Sequence, residues 1–331
     1  MIASLESILD ILCCPKCHTS LNANHRARLI CRNVECELSQ APFLEVRGQP
    51  VLIDFENSIV DRDELEASDC ASASQRDDLA DSLRFKIFNA FLGKNRVAGE
   101  IAANFSSDLK GRFQRPRVLV VGGGAIGAGI GKLYDDQHIE LIGIDIYPSP
   151  NITVIADGHS IPLADKSVDG VWIQAVLEHV LDPHQVVSEI YRVLIPNGLV
   201  FADTPFMWQV HEGAYDFTRF TLSGHRWLFR EFDLLDAGVS MGPTTATLLA
   251  IRYFVRSLCR NDKIATGVQM MFFWVRFLDR FCRGRQSADA AAGVFFYGKK
   301  SESSIEPADI IKFYQAQKKL KEKQITFAHR L

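Results

Sequence analysis

Short apolar runs alternate with helical periods along residues 118–202. Five runs of four to six residues, rich in Val, Ile and Leu, occupy 118–121, 139–144, 152–155, 168–173 and 199–202. Residues 183–194 place apolar side chains at helical spacing and end before a Pro-Asn-Gly turn. Two further strand-like runs follow at 232–239 and 292–297. Because strands that alternate with helices form parallel βαβ units, the pattern predicts an α/β protein with a Rossmann-like, doubly wound, seven-stranded, mostly parallel sheet.

Composition changes divide the rest of the chain. Residues 1–56 hold five of the eight cysteines and end in a strand-like run that Gly48 and Pro50 interrupt. An acidic linker is predicted over 57–83, because Asp54–Asp81 carries ten acidic residues and two arginines. The main domain is predicted over 84–300, with a helical insertion at about 245–288 before the last strand. A Lys-rich helical tail follows over 301–331.

The overall composition is that of an ordinary globular protein. The chain has 331 residues, 47% hydrophobic and 23% charged, with a net charge of −3. This charge gives no global reason to expect stable nucleic-acid binding. The chain shows neither an apolar span of 18 residues nor a signal-peptide pattern, so we expect a cytoplasmic location and reduced cysteines.

The N-terminal cysteines have the spacing of a metal site. Cys14 and Cys17 form a C-x2-C pair, and Cys31 and Cys36 form a second pair with four residues between them. Four thiolates suit tetrahedral zinc, which can supply the folding energy that so small a module lacks. The sequence predicts a structural zinc site made by these four residues. The alternatives are free cysteines, or substitute ligands at Cys13, His18 and His25.

These residues also carry a resemblance. The sequence Leu9-Asp-Ile-Leu-x-Cys14-Pro-Lys-Cys17-x3-Leu21, followed by the second cysteine pair and by Gly48-Gln-Pro-Val-Leu-Ile53, resembles the small zinc-ribbon family that activates methyltransferases or is fused to them. The resemblance covers about 55 residues. It implies a zinc-ribbon-like module over 1–56.

A glycine-rich turn follows the first strand of the main domain. Gly122-Gly-Gly124-x-x-Gly127 lets a nucleotide approach the backbone closely. Asp145 lies about twenty residues further on, at the end of the second strand, where a carboxylate can accept hydrogen bonds from ribose hydroxyls. These residues fit a dinucleotide as well as S-adenosylmethionine, and a tight turn without a ligand is a third explanation.

The next 50 residues favour S-adenosylmethionine. The segments 156–169, 176–183, 189–198 and 204–206 contain Asp157-Gly158-His159, Glu178-His179 and Thr204-Pro-Phe. With them, residues 117–232 strongly resemble class I S-adenosylmethionine-dependent methyltransferases of the branch that modifies quinones and small molecules. This resemblance implies the doubly wound fold and the cofactor S-adenosylmethionine.

The resemblance also implies roles for individual residues. Gly122 and Gly124 would pack against the cofactor, Asp145 with its neighbour Ile146 would bind the ribose, and Gln174 would lie along the methionine part. Asp157, with Gly158 and His159 beside it, would bind the adenine amino group. The chain departs from the family at Val120, where relatives carry an acid, and at the displaced third glycine, Gly127.

The candidate catalytic residues follow the fourth and fifth strands. Glu178 and His179 match a pair that helps to hold a divalent metal in some hydroxyl-modifying relatives, but Ala175 replaces the acid that completes that site. Their alternative role is to pack and cap the start of a helix. In the loop after the fifth strand, His211 is the predicted general base, and Asp216 and Arg219 would orient the substrate or, as an ion pair, hold the loop.

The insertion is basic and amphipathic. Between 247 and 285 it holds eight Arg or Lys and two Asp, with an apolar stripe formed by Val268, Met271, Phe272, Val275, Leu278, Phe281 and Cys282. Three explanations stand: helices that pack in the core or at a dimer face, a lid over the substrate, or a peripheral membrane contact.

The leading hypothesis is methyl transfer from S-adenosylmethionine to a small-molecule, glycan or lipid-linked acceptor, with oxygen as the expected acceptor atom. The alternatives are an RNA methyltransferase with the ribbon as reader, a nucleotide-binding oxidoreductase, and a catalytically inactive methyltransferase-like binding protein. The acidic linker and the net charge argue against RNA.

Overall fold

The computed structural model describes residues 1–23, 28–67 and 95–316. The described strands are β1 Leu21–Ala23, β2 Leu29–Cys31, β3 Glu45–Val46, β4 Gln49–Leu52, β5 Arg117–Val121, β6 Glu140–Asp145, β7 Val154–Ala156, β8 Val168–Gln174, β9 Leu194–Pro205, β10 Phe232–Met241 and β11 Gly293–Lys300. The described α-helices are α1 Leu5–Ile8, α2 Arg62–Ala67, α3 Arg96–Arg112, α4 Gly131–Asp135, α5 Pro183–Val193, α6 Leu222–Leu228, α7 Pro243–Cys259, α8 Asp262–Met271, α9 Gly284–Asp289 and α10 Pro307–Ala316.

The central sheet has nine strands in the order β10-β11-β9-β8-β5-β6-β7-β4-β3. Strands β4 to β9 pair in parallel, whereas β11 is antiparallel to both β9 and β10. The mostly parallel, doubly wound arrangement that the alternating pattern predicted is therefore confirmed. The predicted number of seven strands is wrong for the sheet as a whole, because β3 and β4 of the N-terminal module extend its edge beside β7.

Helices cover both faces of the parallel strands. On one face, α3 buries Phe105 and Leu109 against Trp172 of β8. On the other face, α5 buries Val186 and Ile190. Helix α5 begins where the sequence indicated, because Pro183 occupies its first turn and the side chain of Asp182 accepts two amide hydrogen bonds there.

The N-terminal module shares its core with the main domain. Ile8, Leu12 and Cys14 are fully buried in the cluster that also contains Leu163 and Val186. Backbone hydrogen bonds join the two parts: the Cys13 amide donates to the Pro162 carbonyl (3.0 Å), and the Ala164 amide donates to the Ile11 carbonyl (2.8 Å). The module is therefore attached by both apolar packing and hydrogen bonds.

Part of the predicted linker also packs on the sheet. The described residues 57–67 include α2, whose Leu65 is buried against Val51, Ile53 and Ile155. The rest of the linker (68–83) and the first basic segment of the main domain (84–94) lie outside the described residues, as do 317–331 of the tail. Helix α3 is the first described element of the predicted main domain.

The insertion leaves the sheet at the end of β10. It comprises α7, α8, a 3-10 helix over Phe273–Phe281 and α9, before the chain returns in β11. Its predicted apolar stripe is not buried: Met271 and Phe281 are 72% and 66% exposed, and Phe272 and Leu278 are exposed as well. Core packing is therefore wrong for these four residues, whereas Val268, Val275 and Cys282 are half-buried; a dimer face stays a prediction. Within the described ranges, no helix has the length and apolar character needed to cross a bilayer.

Candidate active site

The candidate cofactor residues converge at the carboxyl edge of the parallel strands. Gly122 follows β5, Asp145 ends β6, Asp157 follows β7 and Gln174 ends β8. The strand register aligns these ends, since Val121 lies beside Ile144 and Gln174 beside Asp203 of β9. This is the edge at which open α/β sheets bind their ligands.

The glycine turn is shaped by close contacts. Gly122 has φ +73°, and a Cβ there would lie 2.2 Å from the Val176 side chain. The Gly124 amide donates a hydrogen bond to Asp145 Oδ2 (2.9 Å), and a Cβ on Gly124 would come within 2.6 Å of that oxygen. Side chains at these two positions would therefore displace the groups that form the cleft. Ile146 follows Asp145 directly and is half-buried.

The third glycine contacts the end of β8. A Cβ on Gly127 would lie 2.5 Å from Gln174 Oε1, and Gln174 Nε2 donates to the Ala128 carbonyl (3.2 Å). The displaced glycine of the sequence motif therefore has a structural reason, because it makes room for the Gln174 amide.

Asp157 is a buried acceptor with three local donors. His159 donates from its amide (2.9 Å) and its Nδ1 lies 2.7 Å from the same carboxylate, while Ser58 Oγ donates to the other oxygen (2.5 Å). Burial by itself raises the pKa of Asp157, but the hydrogen bonds from His159 and Ser58 bring it below the ordinary value. Asp157 is therefore a carboxylate at neutral pH. Gly158 packs beside it against Val121 and Val186.

A cavity of about 270 Å³ adjoins Asp157 and His159. Its walls come from two parts of the chain, with Pro15, His18 and Ser58 from the N-terminal region and Gln185 and Glu189 from α5. The N-terminal module thus forms part of the surroundings of the candidate adenine site.

Two buried acids lie after β8 and near the end of β9, and sequence reasoning missed one of them. Asp203 of β9 is fully buried and accepts a hydrogen bond from Asn95 Nδ2 (2.6 Å), and burial raises its pKa to about 6. Glu178 is 1% exposed, and neither of its carboxylate oxygens has a hydrogen-bond partner among the described residues. Burial and the nearby Asp203 raise the pKa of Glu178 to about 8, so its carboxyl is protonated at neutral pH. The sequence signal that could have identified Asp203 is its position as the one acidic residue in the otherwise mostly apolar run 199–206.

Two histidines lie next to Glu178. His179 Nδ1 lies 2.7 Å from the Tyr215 carbonyl, and its Nε2 is 3.7 Å from Glu178 Oε1. Burial lowers the pKa of His179, which keeps the ring neutral. The His211 ring packs edge-on against the His179 ring, with 4.9 Å between their centroids.

His211 has a buried carboxylate partner. Its Nδ1 lies 3.2 Å from Asp216 Oδ2, and its amide donates to the same oxygen (2.9 Å). Burial alone raises the pKa of Asp216, but its ion pair with Arg219 lowers it to about 2. A carboxylate on Nδ1 favours the tautomer in which Nε2 can accept a proton.

The loop that carries His211 is held by polar contacts. Arg219 donates to Asp216 and to the carbonyls of Trp208 and Gln209, at 2.8, 3.0 and 3.2 Å. The Phe217 amide donates to the Glu178 carbonyl (2.8 Å). Asp216 and Arg219 therefore form an ion pair that holds the loop, which is one of the two roles that the sequence suggested for them. The other role, contact with the substrate, stays a prediction.

Two groups of side chains have the spacing of a metal site. Cys14, Cys17, Cys31 and Cys36 place their sulfurs within 4.8 Å of one another, with Cys14–Cys36 at 3.8 Å and Cys17–Cys31 at 3.5 Å. Tetrahedral thiolates on zinc are separated by about 3.8 Å, so the four sulfurs fit that ion. The substitute ligands Cys13 and His18 are outside this group, and His25 lies outside the described residues.

Glu178, His179 and His211 form the second group, whose ligand atoms also lie within 4.8 Å of one another.

The middle of the chain matches a family model. Residues 119–202 match the model described as "Methyltransferase domain". The match runs from within β5 to within β9, includes the whole glycine turn, and supports the methyltransferase assignment for this segment.

Curated relatives support the same assignment over a similar length. An uncharacterized methyltransferase of Mycobacterium bovis is 39% identical over 71 residues, which are 22% of this chain and 28% of the relative. One of Mycobacterium leprae is 37% identical over 71 residues, 22% of this chain and 26% of the relative. The matched segment thus spans about a quarter of the length of these relatives.

Solved structures show low similarity. Phosphoethanolamine N-methyltransferase 2 of Haemonchus contortus, solved with S-adenosyl-L-methionine, is 18% identical; the match covers 70% of this chain and 60% of that one, with a TM-score of 0.42. A SAM-dependent methyltransferase of Archaeoglobus fulgidus is 16% identical, with 66% and 100% coverage and a TM-score of 0.41.

Proposed function

We propose that the protein transfers the methyl group of S-adenosylmethionine to a hydroxyl of a small-molecule, sugar or lipid-linked acceptor. The observation that carries the proposal is the convergence of the glycine turn, Asp145 and Asp157 at one sheet edge, within the segment that matches the methyltransferase family.

The residues at this edge fit an adenosine-containing cofactor. Asp145 would accept hydrogen bonds from the ribose hydroxyls, and Asp157 would accept one from the adenine amino group, since a carboxylate can accept about four hydrogen bonds and three are used here. Gly122 and Gly124 would let the backbone approach the cofactor, and Gln174 would lie along the methionine part of the cofactor. When bound, S-adenosylmethionine supplies an electrophilic methyl group.

The residues of the loop fit the removal of a hydroxyl proton. Because its Nδ1 lies 3.3 Å from the Gln209 carbonyl and 3.2 Å from Asp216, His211 would take the acceptor's proton on Nε2, and Asp216 would stabilise the resulting imidazolium. The neutral His179 would lie beside the acceptor hydroxyl, and the protonated Glu178 is buried next to it, so neither adds charge to this part of the cleft. His211 is thus the proposed catalytic base, and Asp216 and Arg219 are positioning residues.

The four N-terminal cysteines would hold a structural zinc ion. Four thiolates close the coordination sphere, so this ion would stabilise the module and take no part in methyl transfer.

Two variants test the proposal in the full chain. Asp145→Ala should weaken binding of S-adenosylmethionine, measured by calorimetry, by at least tenfold, since a charged hydrogen bond to ribose is lost. His211→Gln should bind the cofactor with unchanged affinity and slow the labelling of a small-molecule extract from labelled cofactor by about 10²–10⁴-fold.

Calorimetry also distinguishes the alternatives. Tight binding of NADH without binding of S-adenosylmethionine would overturn the proposal in favour of an oxidoreductase. Cofactor binding without labelling of any extract would favour an inactive binding protein. Labelling that persists unchanged in Asp145→Ala would exclude the proposed cofactor site.

A further inference from the structure

We infer that the helical insertion is a docking surface for an anionic lipid bilayer, an interaction that does not depend on the proposed methyl transfer. The insertion surface is defined by the six large apolar side chains that are more than half exposed on α7, at the end of α8 and on the 3-10 helix: Phe254, Leu258, Met271, Trp274, Phe277 and Phe281. Soluble proteins rarely expose so many large apolar groups in one region without a partner.

The charge of the insertion identifies the partner's chemistry. Residues 247–285 hold eight Arg or Lys and two Asp, in a chain whose net charge is −3. Both acids are engaged inside the insertion: Asp262 lies 3.2 Å from Arg256, and Asp279 accepts the Thr244 amide (3.1 Å). The surface therefore combines exposed apolar groups with an excess of positive charge, which complements anionic head groups.

The cations lie directly beside the apolar side chains. The Arg280 guanidinium is 4.7 Å from the centre of the Phe281 ring, and the Arg276 guanidinium is 5.8 Å from that of Phe277. In an interfacial protein segment, aromatic rings enter the boundary between head groups and acyl chains while neighbouring arginines remain at the phosphates. Arginine–aromatic pairs of this kind suit that boundary.

The insertion is built to lie on a bilayer rather than to cross one. Helix α7 has 17 residues and carries Arg252 and Arg256 in its length, and α8 has ten residues. No helix in the described ranges meets the requirements for a membrane span. Because β10 runs parallel to β9, the insertion starts from the carboxyl edge of the sheet, where the candidate site lies. Docking would therefore bring that edge close to lipid.

Vesicle binding by the full chain tests the inference. We expect the protein to sediment with phosphatidylcholine vesicles that contain about 30% phosphatidylglycerol and to remain in solution with pure phosphatidylcholine. Because the attraction is partly electrostatic, binding should fall as salt rises. The fluorescence of Trp274, obtained as the difference between the wild type and Trp274→Phe, should shift to shorter wavelength with the anionic vesicles.

Two sets of variants separate the two contributions. Replacing Trp274, Phe277 and Phe281 together by Ser should reduce the affinity for anionic vesicles by at least about tenfold, because their apolar area no longer enters the interface. Replacing Lys263, Arg280 and Arg283 together by Gln should also reduce the affinity for anionic vesicles and should make that affinity less dependent on salt. The matched control replaces Leu234 and Leu235, exposed apolar residues of β10 outside the insertion, by Ser and should bind like the wild type.

Three results would overturn the inference. One is the absence of binding to anionic vesicles. A second is equal loss of binding in the Leu234 and Leu235 control, which would indicate a non-specific effect. The third is a dimer, detected by light scattering, that the three Ser substitutions in the insertion dissociate while no vesicle binding occurs, because the surface would then cover a second copy of the chain.

Discussion

The N-terminal module and the helical insertion are both additions to the same sheet, yet they treat their apolar residues in opposite ways. In the module, Ile8, Leu12 and Leu52 are at most 1% exposed, and β4 joins the sheet beside β7. In the insertion, Phe254 and Phe281 are about two-thirds exposed. The difference shows that these side chains of the module have their partner inside the chain, whereas the exposed ones of the insertion, unlike its buried Leu248 and Leu249, are available to an external partner.

The contacts of the two additions with the rest of the protein differ in the same way. The module is joined to residues 162–164 by backbone hydrogen bonds, and Ser58, two residues after the module, donates a hydrogen bond to Asp157. The insertion's main contacts are among its own helices α7 and α8 and the 3-10 helix that follows them. We therefore expect changes in the module to affect folding and the cofactor site, and changes in the insertion to affect surface interactions.

The largest expected effect comes from the cysteine group. Cys14→Ser should remove zinc, measured by elemental mass spectrometry, because three ligands cannot close the site, and it should lower the thermal midpoint by many degrees. Since Pro15 and His18 line the cavity beside Asp157, affinity for S-adenosylmethionine should fall as well. Cys259→Ser, at an exposed cysteine outside the group, is the control. A wild-type chain that carries no zinc would contradict the proposed ion.

A pair of core and surface substitutions tests the comparison directly. Leu12→Ala should reduce the free energy of unfolding by about 2–5 kcal/mol, because it removes a fully buried side chain and leaves a cavity. Phe281→Ala should change it by less than about 0.5 kcal/mol. Denaturant unfolding measures both values. Equal losses would show that the insertion is part of the folding core, contrary to its exposure.

The buried carboxyl of Glu178 should make stability depend on pH. Its pKa is raised to about 8 in the folded protein, so the folded state holds a proton that the unfolded chain releases at its ordinary, lower pKa. The two states are equally protonated below that lower value, and the wild type loses stability as pH rises towards 8. Glu178→Gln, compared with the wild type in the same buffer, should therefore gain more than about 1 kcal/mol of relative stability between pH 5 and pH 8. A difference that does not change with pH would contradict this assignment.

The smallest expected effect concerns Ser58, which follows the N-terminal module and contacts the candidate cofactor site. Ser58→Ala removes one hydrogen bond to Asp157, which is worth about 0.5–1.5 kcal/mol. The affinity for S-adenosylmethionine should change by less than about tenfold, and the pKa of Asp157 should rise, since a donor to the carboxylate is lost. Ser39→Ala, at a hydroxyl bonded only within the module, serves as the control. Identical affinities and titrations in both variants would show that the hydrogen bond from Ser58 does not act on the site.

Local patterns were enough to predict the strands β5 to β9, the helix α5 and the glycine turn, because period, caps and turn residues act within a few positions of the chain. The same patterns did not indicate that β4 would pair with β7, since that pairing joins Val51 to Ile155, about a hundred residues apart. The patterns also did not show whether the apolar stripe of residues 268–282 is buried or exposed, because an amphipathic helix has the same spacing of apolar residues in either environment.

The residues of the candidate site also fall into two groups: those that local sequence patterns indicate and those that only the tertiary structure brings together. Motif spacing proposed Asp145 and the four cysteines, and the family resemblance added Asp157, because each belongs to a short segment whose chemistry is visible in its residue types; their roles stay predictions. The placement of His211 beside Asp216 and His179, the burial of Glu178 and the contribution of Asp203 depend on how the loop after β9 folds back over the sheet edge. Contacts of this kind follow from the packing of segments that are distant along the chain, and no local pattern of residues contains that information.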